Sequence, residues 1–266
     1  MVTATPRALA VPRAHPHHQV RELFGVPIAA ATMEDALVRV EAAIASRERH
    51  QIGVVNAAKI VNMRRDAPLR DDVLSSDVIY ADGMAVVWAS RLLGRPLPER
   101  IAGIDLMKNI LARGMERHWR VYCLGATEEV LGQAVARMRS DYPGTLIVGQ
   151  QHGYFGADEE EAVAHRIAEA RPDVLFVAMT SPKKENFLAR WSGMIGAPVC
   201  HGVGGSFDVL AGKVERAPEA WQRLGLEWLY RVKQEPRRLW RRYLVTNTLF
   251  CGMVVGHLVR RRRTAR

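Results

Sequence analysis

From about residue 20 the chain alternates two hydrophobic rhythms. Short runs of consecutive apolar residues at Ile52–Val55, Val78–Tyr80, Val121–Leu124, Thr145–Val148, Val174–Val177 and Val199–His201 predict strands. Between them apolar positions recur every three or four residues, which predicts helices. Thr32 reads as an N-cap, with Ala36, Leu37, Val40 and Ala43 on one face of the helix it opens. Further helices are predicted after Asn56, from Pro68 to Leu74, over Val86–Leu93, from Leu106 to about Arg113, from Thr127 to about Tyr142, over Glu159–Ala170 and after Pro182. The strands are continuously apolar, so they are expected to be buried on both faces. The fold class is therefore α/β, a mostly parallel sheet with helices on both sides. Leu23–Ile28 reads as a short edge strand because Pro27 removes a ladder donor.

The ends of the chain follow neither rhythm. Residues 1–20 carry Pro6, Pro12, Pro16 and His15, His17 and His18, and have no apolar core of the secretory type. They read as a disordered tail, with adventitious metal binding as the lesser reading of the histidines. Residues 213–266 hold 14 Lys+Arg against 4 Asp+Glu, which accounts for the whole net charge of +10. Residues 1–212 balance to zero, so the body, residues 21–212, carries a basic appendage that seeks an anionic surface. Pro236 is expected to interrupt it. Tyr243–Val259 is a run of 17 uncharged residues closed by Arg260–Arg263. It reads first as an amphipathic helix in a membrane interface, and otherwise as a helix docked on the body or a partner, or as a span. Cys123, Cys200 and Cys251 share no metal or disulfide spacing and fit a reducing cytosol.

The strand at Val78–Tyr80 ends at Ala81-Asp82-Gly83, just before a helix. A carboxylate there sits where open α/β sheets bind ligands, although capping of the helix is an equally ordinary role for Asp82. Glycine turns at Gly83, Gly125 and Gly202-Val203-Gly204 follow three strands, and backbone amides at such turns are able to cradle phosphate. No phosphate-loop, nucleophile-elbow or zinc-protease motif is present, and no D-x-D pair that would hold a metal on a diphosphate. Without a metal, Arg231, Arg237, Arg238 and Arg241 are the candidates to balance a diphosphate.

Asn56, Ala81-Asp82-Gly83, Pro98-Glu99-Arg100 with Gly103 and Asp105, Leu124-Gly125-Ala126, Ser181-Pro182-Lys183, the 202–208 segment GVGGSFD and the 224–238 segment ending Gln234-Glu235-Pro236-Arg237-Arg238 together resemble the WecG/TagA/CpsF family of bacterial glycosyltransferases. The resemblance runs from about Leu23 to about Arg242. It implies a Rossmann-like catalytic domain and a membrane-touching appendage. It also implies inverting, metal-independent transfer from a UDP-sugar to a sugar on a polyprenyl diphosphate, for surface polysaccharide, with no cofactor. Asp82 becomes the general base, Asn56 a sugar-pocket residue, and Arg231 and Arg238 the groups that meet the leaving diphosphate. Gly83, Arg100, Gly103, Asp105, Gly125, Ala126, Lys184, Glu185, Gly202, Gly204 and Asp208 become substrate-binding positions. Two departures bear on the donor: Val54 stands where the family often has Thr, and Lys184 where it often has Gln. A hexose, an N-acetylhexosamine or a uronic acid all remain in view, and Lys184 reads equally as a solvent-facing first-turn lysine.

If the arginines come from a membrane-seeking arm, membrane contact is expected to complete the site. The protein would then lie on the inner face of the cytoplasmic membrane, with its oligomeric state open. The competing reading is a nucleotide-binding regulatory protein whose basic arm meets nucleic acid or membrane. Nucleic acid is disfavoured, because it would not bury the uncharged run. An NAD-linked enzyme would need a ribose-binding acid about 20 residues beyond the glycine turn, which is missing.

Overall fold

The two rhythms become strands and helices in a computed structural model that describes residues 19–264 of the chain. The expected N-terminal tail and its histidines fall almost wholly outside the described residues. The elements, in chain order, are β1 (Val20–Leu23), β2 (Val26–Ala29), α1 (Met33–Ser46), β3 (His50–Val55), α2 (Ala57–Met63), α3 (Ala67–Leu74), β4 (Val78–Ala81), α4 (Met84–Leu92) and α5 (Gly103–Arg117). There follow β5 (Arg120–Gly125), α6 (Glu128–Asp141), β6 (Leu146–Gln151), α7 (Glu160–Glu169), β7 (Val174–Ala178), α8 (Lys183–Ile195), β8 (Val199–Gly202), α9 (Ser206–Leu210), α10 (Glu219–Arg223), α11 (Glu227–Gln234) and α12 (Pro236–Thr264).

Six strands form one parallel sheet in the order β4-β3-β8-β7-β5-β6. Residues alternate between its two faces, as the pleat requires. Val121 and Cys123 of β5 join α1, α5 and α6 in one core, and Tyr122 and Leu124 join α7 and α8 in another. At the β4 edge a third core takes Ile79 and Ala81 with α2, α3, α4 and the β1–β2 hairpin. Burial on both faces holds for β4, β5, β7 and β8 but not for β6, where Leu146 is 44% exposed. Both β4 and β6 are edge strands, but the third core covers the β4 edge.

The predicted caps form. Thr32 and Asp35 make a reciprocal capping box on α1, and Thr127 accepts from the Val130 amide at the start of α6. The Leu23–Ile28 stretch is a hairpin rather than one edge strand. Phe24 and Gly25 both have positive φ, 57° and 79°, and a two-residue turn of that kind reverses the chain. Gly103 and Asp105 lie in the first turn of α5, not in a loop ahead of it.

Pro236 starts α12 instead of breaking it, since a first helical residue has no use for its missing N–H. The helix then runs 29 residues, about 44 Å at the α-helical rise. It is docked on the body: Phe250 and Val254 are buried with α2 and the hairpin, and the Phe250 ring meets the edge of Phe24 at 5.2 Å. Docking was the second of the three sequence readings for Tyr243–Val259. No helix among the described residues is long and apolar enough to cross a membrane.

Candidate active site

β3 and β4 run side by side, with Val55 level with Ala81. The next residues, Asn56 and Asp82, therefore leave the sheet together. Asn56 caps α2, its Oδ1 accepting from the Lys59 amide at 3.0 Å, which turns its Nδ2 toward Asp82 Oδ2 at 3.5 Å. Gly83 lets the two loops approach, since a Cβ there would come within 3.1 Å of the Asn56 Cβ.

Asp82 does not cap the helix that follows it. Gly83 takes the N-cap position of α4 and supplies no side chain, so that helix start is bare toward the cleft. The Asp82 Oδ1 instead accepts from the Gly103 amide at 2.9 Å, at the start of α5. The Gly103 carbonyl lies 3.0 Å from His201 Nε2, at the end of β8. Burial pushes the His201 imidazole down to about 4, against the opposing pull of the Gly103 carbonyl and the Asp82 charge. A neutral His201 therefore donates Nε2–H to the Gly103 carbonyl and helps to hold the residue whose amide orients Asp82.

These strand ends open into a cavity of about 730 Å³ between α4 on one side and α11 and α12 on the other. Its polar end holds Asn56, Asp82, Arg100, Arg216, Arg231 and Arg242. Arg231 and Arg242 are exposed and make no ion pair among the described residues. Arg100 and Arg216 are engaged. Arg216 grips Asp105 with two bonds of 2.6 and 2.7 Å, and Arg100 pairs with Glu227 and lies 3.6 Å from Asp105. This cluster ties α11 and the segment before it to the start of α5. It gives Arg100, at the cleft wall, and Asp105, behind it, a structural occupation. The Arg238 side chain lies outside the described part of the structure. Arg237 and Arg241 do not line the cavity; Arg241 sits over the Trp240 ring at 5.3 Å.

The other expected substrate-binding positions lie off this cavity. Gly125 has φ 123°, and a Cβ there would stand 2.3 Å from the Ala178 carbonyl, so glycine is needed for packing of β5 on β7. Ala126 follows with φ 56°. Gly202 ends β8, Gly204 lies in the turn that follows, and Asp208 lies in α9, its carbonyl accepting the Lys213 and Val214 amides just beyond that helix. Lys184 is not solvent-facing: it is 7% exposed, with its Nζ 2.9 Å from Glu185 Oε1. The same oxygen takes Lys59 Nζ at 2.8 Å. Burial alone would raise the Glu185 carboxyl, but the two ammoniums override it and hold it at about 2. Burial and then the Lys59 charge lower Lys184.

Sequence reasoning missed Lys59, Arg216, Glu227, Arg242 and His201. For Arg242 a signal existed, because it opens the 242, 243, 247, 250, 254 stripe of α12 that faces inward.

Comparison with known proteins agrees with this architecture. Two N-acetylglucosaminyldiphosphoundecaprenol N-acetyl-beta-D-mannosaminyltransferases are similar to the chain. The one from Bacillus spizizenii is 41% identical over 178 residues, covering 66% of this chain and 68% of the relative. The one from Bacillus subtilis is 38% identical over 193 residues, covering 73% and 74%. Residues 21–264 match the Glycosyl transferase WecG/TagA/CpsF family, and with nearly the whole described chain inside that match, the protein belongs to this family of glycosyltransferases.

Proposed function

We propose that the protein transfers an N-acetylhexosamine, N-acetylmannosamine first among the candidates, from a UDP-sugar to an N-acetylglucosamine carried on a polyprenyl diphosphate. The product would enter a bacterial envelope polysaccharide. The observation that carries this reading is the pairing of Asp82 and Asn56 at the mouth of a cleft whose opposite wall offers Arg231 and Arg242, which make no ion pair among the described residues. The relatives named above support both substrates. An acidic donor loses its main argument, because the Lys184 ammonium is tied to Glu185 away from the cavity.

In the proposed step the acceptor hydroxyl attacks the anomeric carbon from the face opposite UDP. The new C–O bond forms as the bond to UDP breaks, and the hydroxyl proton passes to the Asp82 carboxylate. A positioned base of this kind contributes about 10²–10⁴ in rate. Negative charge grows on the departing diphosphate, and Arg231 and the bare N-terminus of α4, which line the cleft, are assigned to it, with Arg238 retained on the family resemblance alone. These cations take the place of a metal.

The protein is proposed to work peripherally on the cytoplasmic membrane surface. The outer face of α12 exposes Trp240, Leu244, Val245 and Val259, and the sequence continues into Arg260–Arg263. Membrane contact is not required to bring Arg231 to the cleft, however, because the arm already lies there in the single chain.

The test is Asp82→Asn, assayed with UDP-N-acetylmannosamine and a lipid-diphosphate N-acetylglucosamine acceptor in EDTA. Asparagine keeps the oxygen that accepts the Gly103 amide, so the unfolding midpoint and UDP affinity should hold while transfer falls by about 10²–10⁴. A near-normal rate rejects the base, and a wild-type enzyme silenced by EDTA rejects metal independence.

A further inference from the structure

The cleft does not end at the arginines. Beyond them it continues as a groove between α4 and α12 whose lining changes from charged to apolar. Along α12 the inward residues read Arg242, Asn247, Phe250, Val254 and Leu258. The step from Arg242 to Phe250 is about 12 Å, and from Phe250 to Leu258 about 12 Å more. The facing wall is α4, which starts beside Asp82 and leads away through Ala85, Trp88 and Leu92. Leu92 is 63% exposed, Val255 58% and Trp88 42%. Large apolar side chains turned into a concave, open groove mark a surface that something apolar covers.

We propose that this limb of the cleft is the binding channel for the first isoprenoid units of the lipid acceptor, with Arg242 at its neck holding the acceptor's own diphosphate. The inference rests on the acceptor class proposed above. Its warrant is the order of chemistry along the groove. A carboxylate comes first, then a cation with no ion pair among the described residues, then a hydrocarbon wall. A polyprenyl diphosphate sugar presents the same order: a hydroxyl, a diphosphate, then a branched apolar chain. A nucleotide sugar presents polar groups at both ends and would leave the outer limb empty. The bilayer is the other apolar candidate, but it would meet the convex outer face of α12 rather than the groove between α12 and α4. The remaining isoprenoid units would leave past Leu92 and Leu258, where α12 closes on the hairpin through Phe24 and His257.

Cys251 lies in the limb and is exposed, whereas Cys123 and Cys200 are buried with their thiols pushed up to about 12. It is therefore a native reporter. The experiment measures the rate of Cys251 modification by a maleimide in the full chain, with Cys251→Ser as the blank. The probes are farnesyl diphosphate, inorganic pyrophosphate, and phosphatidylglycerol vesicles. Farnesyl diphosphate at about ten times its dissociation constant should leave about a tenth of the grooves open and slow modification about tenfold. Pyrophosphate at the same concentration should leave the rate unchanged. Val255→Glu, at an exposed position that need not disturb folding, should demand at least about tenfold more farnesyl diphosphate for the same protection, a carboxylate in hydrocarbon being costly.

No protection by farnesyl diphosphate, equal protection by pyrophosphate, protection by vesicles alone, or an unaltered Val255→Glu titration would each overturn the assignment. Protection needs no turnover. Its failure is thus separable from failure of the Asp82 test, which reads transfer.

Discussion

Glu185→Gln probes the buried charge triad behind the candidate site. One Glu185 oxygen meets both Lys59 Nζ and Lys184 Nζ, at 2.8 and 2.9 Å, and all three side chains are largely buried. The carboxyl titrates at about 2 in the folded chain against 4.5 in the open chain. At about 1.4 kcal/mol per unit, the ionised carboxylate is worth on the order of 3 kcal/mol of folding free energy. A depressed acid contributes above its open-chain value, so this stabilisation is present above about pH 4.5 and fades as pH falls toward 2. Removing the carboxylate also strands two ammoniums side by side, and breaking a buried pair from one end costs roughly 3–5 kcal/mol. At pH 7 the variant should therefore lose about 3 kcal/mol.

Burial and Lys59 already lower Lys184, and Glu185 opposes them. Without Glu185 the ammonium is held still lower, so the unfolded chain binds more protons than the folded one. The variant must then gain stability as pH rises toward the ordinary lysine range, and its deficit must narrow between pH 7 and 9. Denaturant unfolding of both proteins at the two pH values measures this. A deficit below about 1 kcal/mol at pH 7, or one that does not change by pH 9, refutes the account of the triad.

Two further outcomes follow from the same geometry. Phe250→Ala removes a ring that is 4% exposed between α12 and the hairpin, a change that typically costs about 3–5 kcal/mol, and hydrogen exchange in 243–258 should quicken far more than in the sheet. Equal protection in both regions would mean that Phe250 does not hold the arm. His201 is buried neutral with its imidazole near 4, so stability should be intact above about pH 6.5 and decline as pH falls toward 4. In His201→Gln that part of the acid decline should flatten, and an unaltered slope of unfolding midpoint against pH would count against a neutral buried imidazole.

The residues legible in the sequence share one property: a local pattern fixes them. Asn56 and Asp82 each end an apolar run, and the parallel register that sets Val55 level with Ala81 brings the two ends together. The caps at Thr32 and Thr127 are legible for the same reason. Arg216 and Glu227 were not legible. Their partners Asp105 and Arg100 lie more than a hundred residues away, and charge pairing at that range leaves no periodic trace. Lys59 and Lys184 each sit in a helix where a lysine ordinarily points to water; only the carboxylate of Glu185 explains their burial. The α12 segment misled because a run of 17 uncharged residues satisfies two different solvents. One stripe of it meets protein, at Phe250 and Val254, and another stays exposed, at Leu244, Val245 and Val259.

That division has an energetic consequence for the cleft. Burial of one large apolar side chain contributes about 1.5–3 kcal/mol. Along α12 only Leu239, Phe250 and Val254 are large apolar side chains at that level of burial among the described residues. Three such side chains are all that α12 sinks fully into the body over its 29 residues, so its docking rests on few contacts. The Arg100, Asp105, Arg216 and Glu227 cluster secures the chain ahead of α12, not its far end. A ligand lying between α4 and α12 touches both walls and exists only with the arm docked. By mass action it must stabilise the docked state as it binds. Loosening the arm should therefore appear first as weakened acceptor binding, and only when the arm leaves altogether as loss of Arg231, the arginine proposed to face the departing diphosphate.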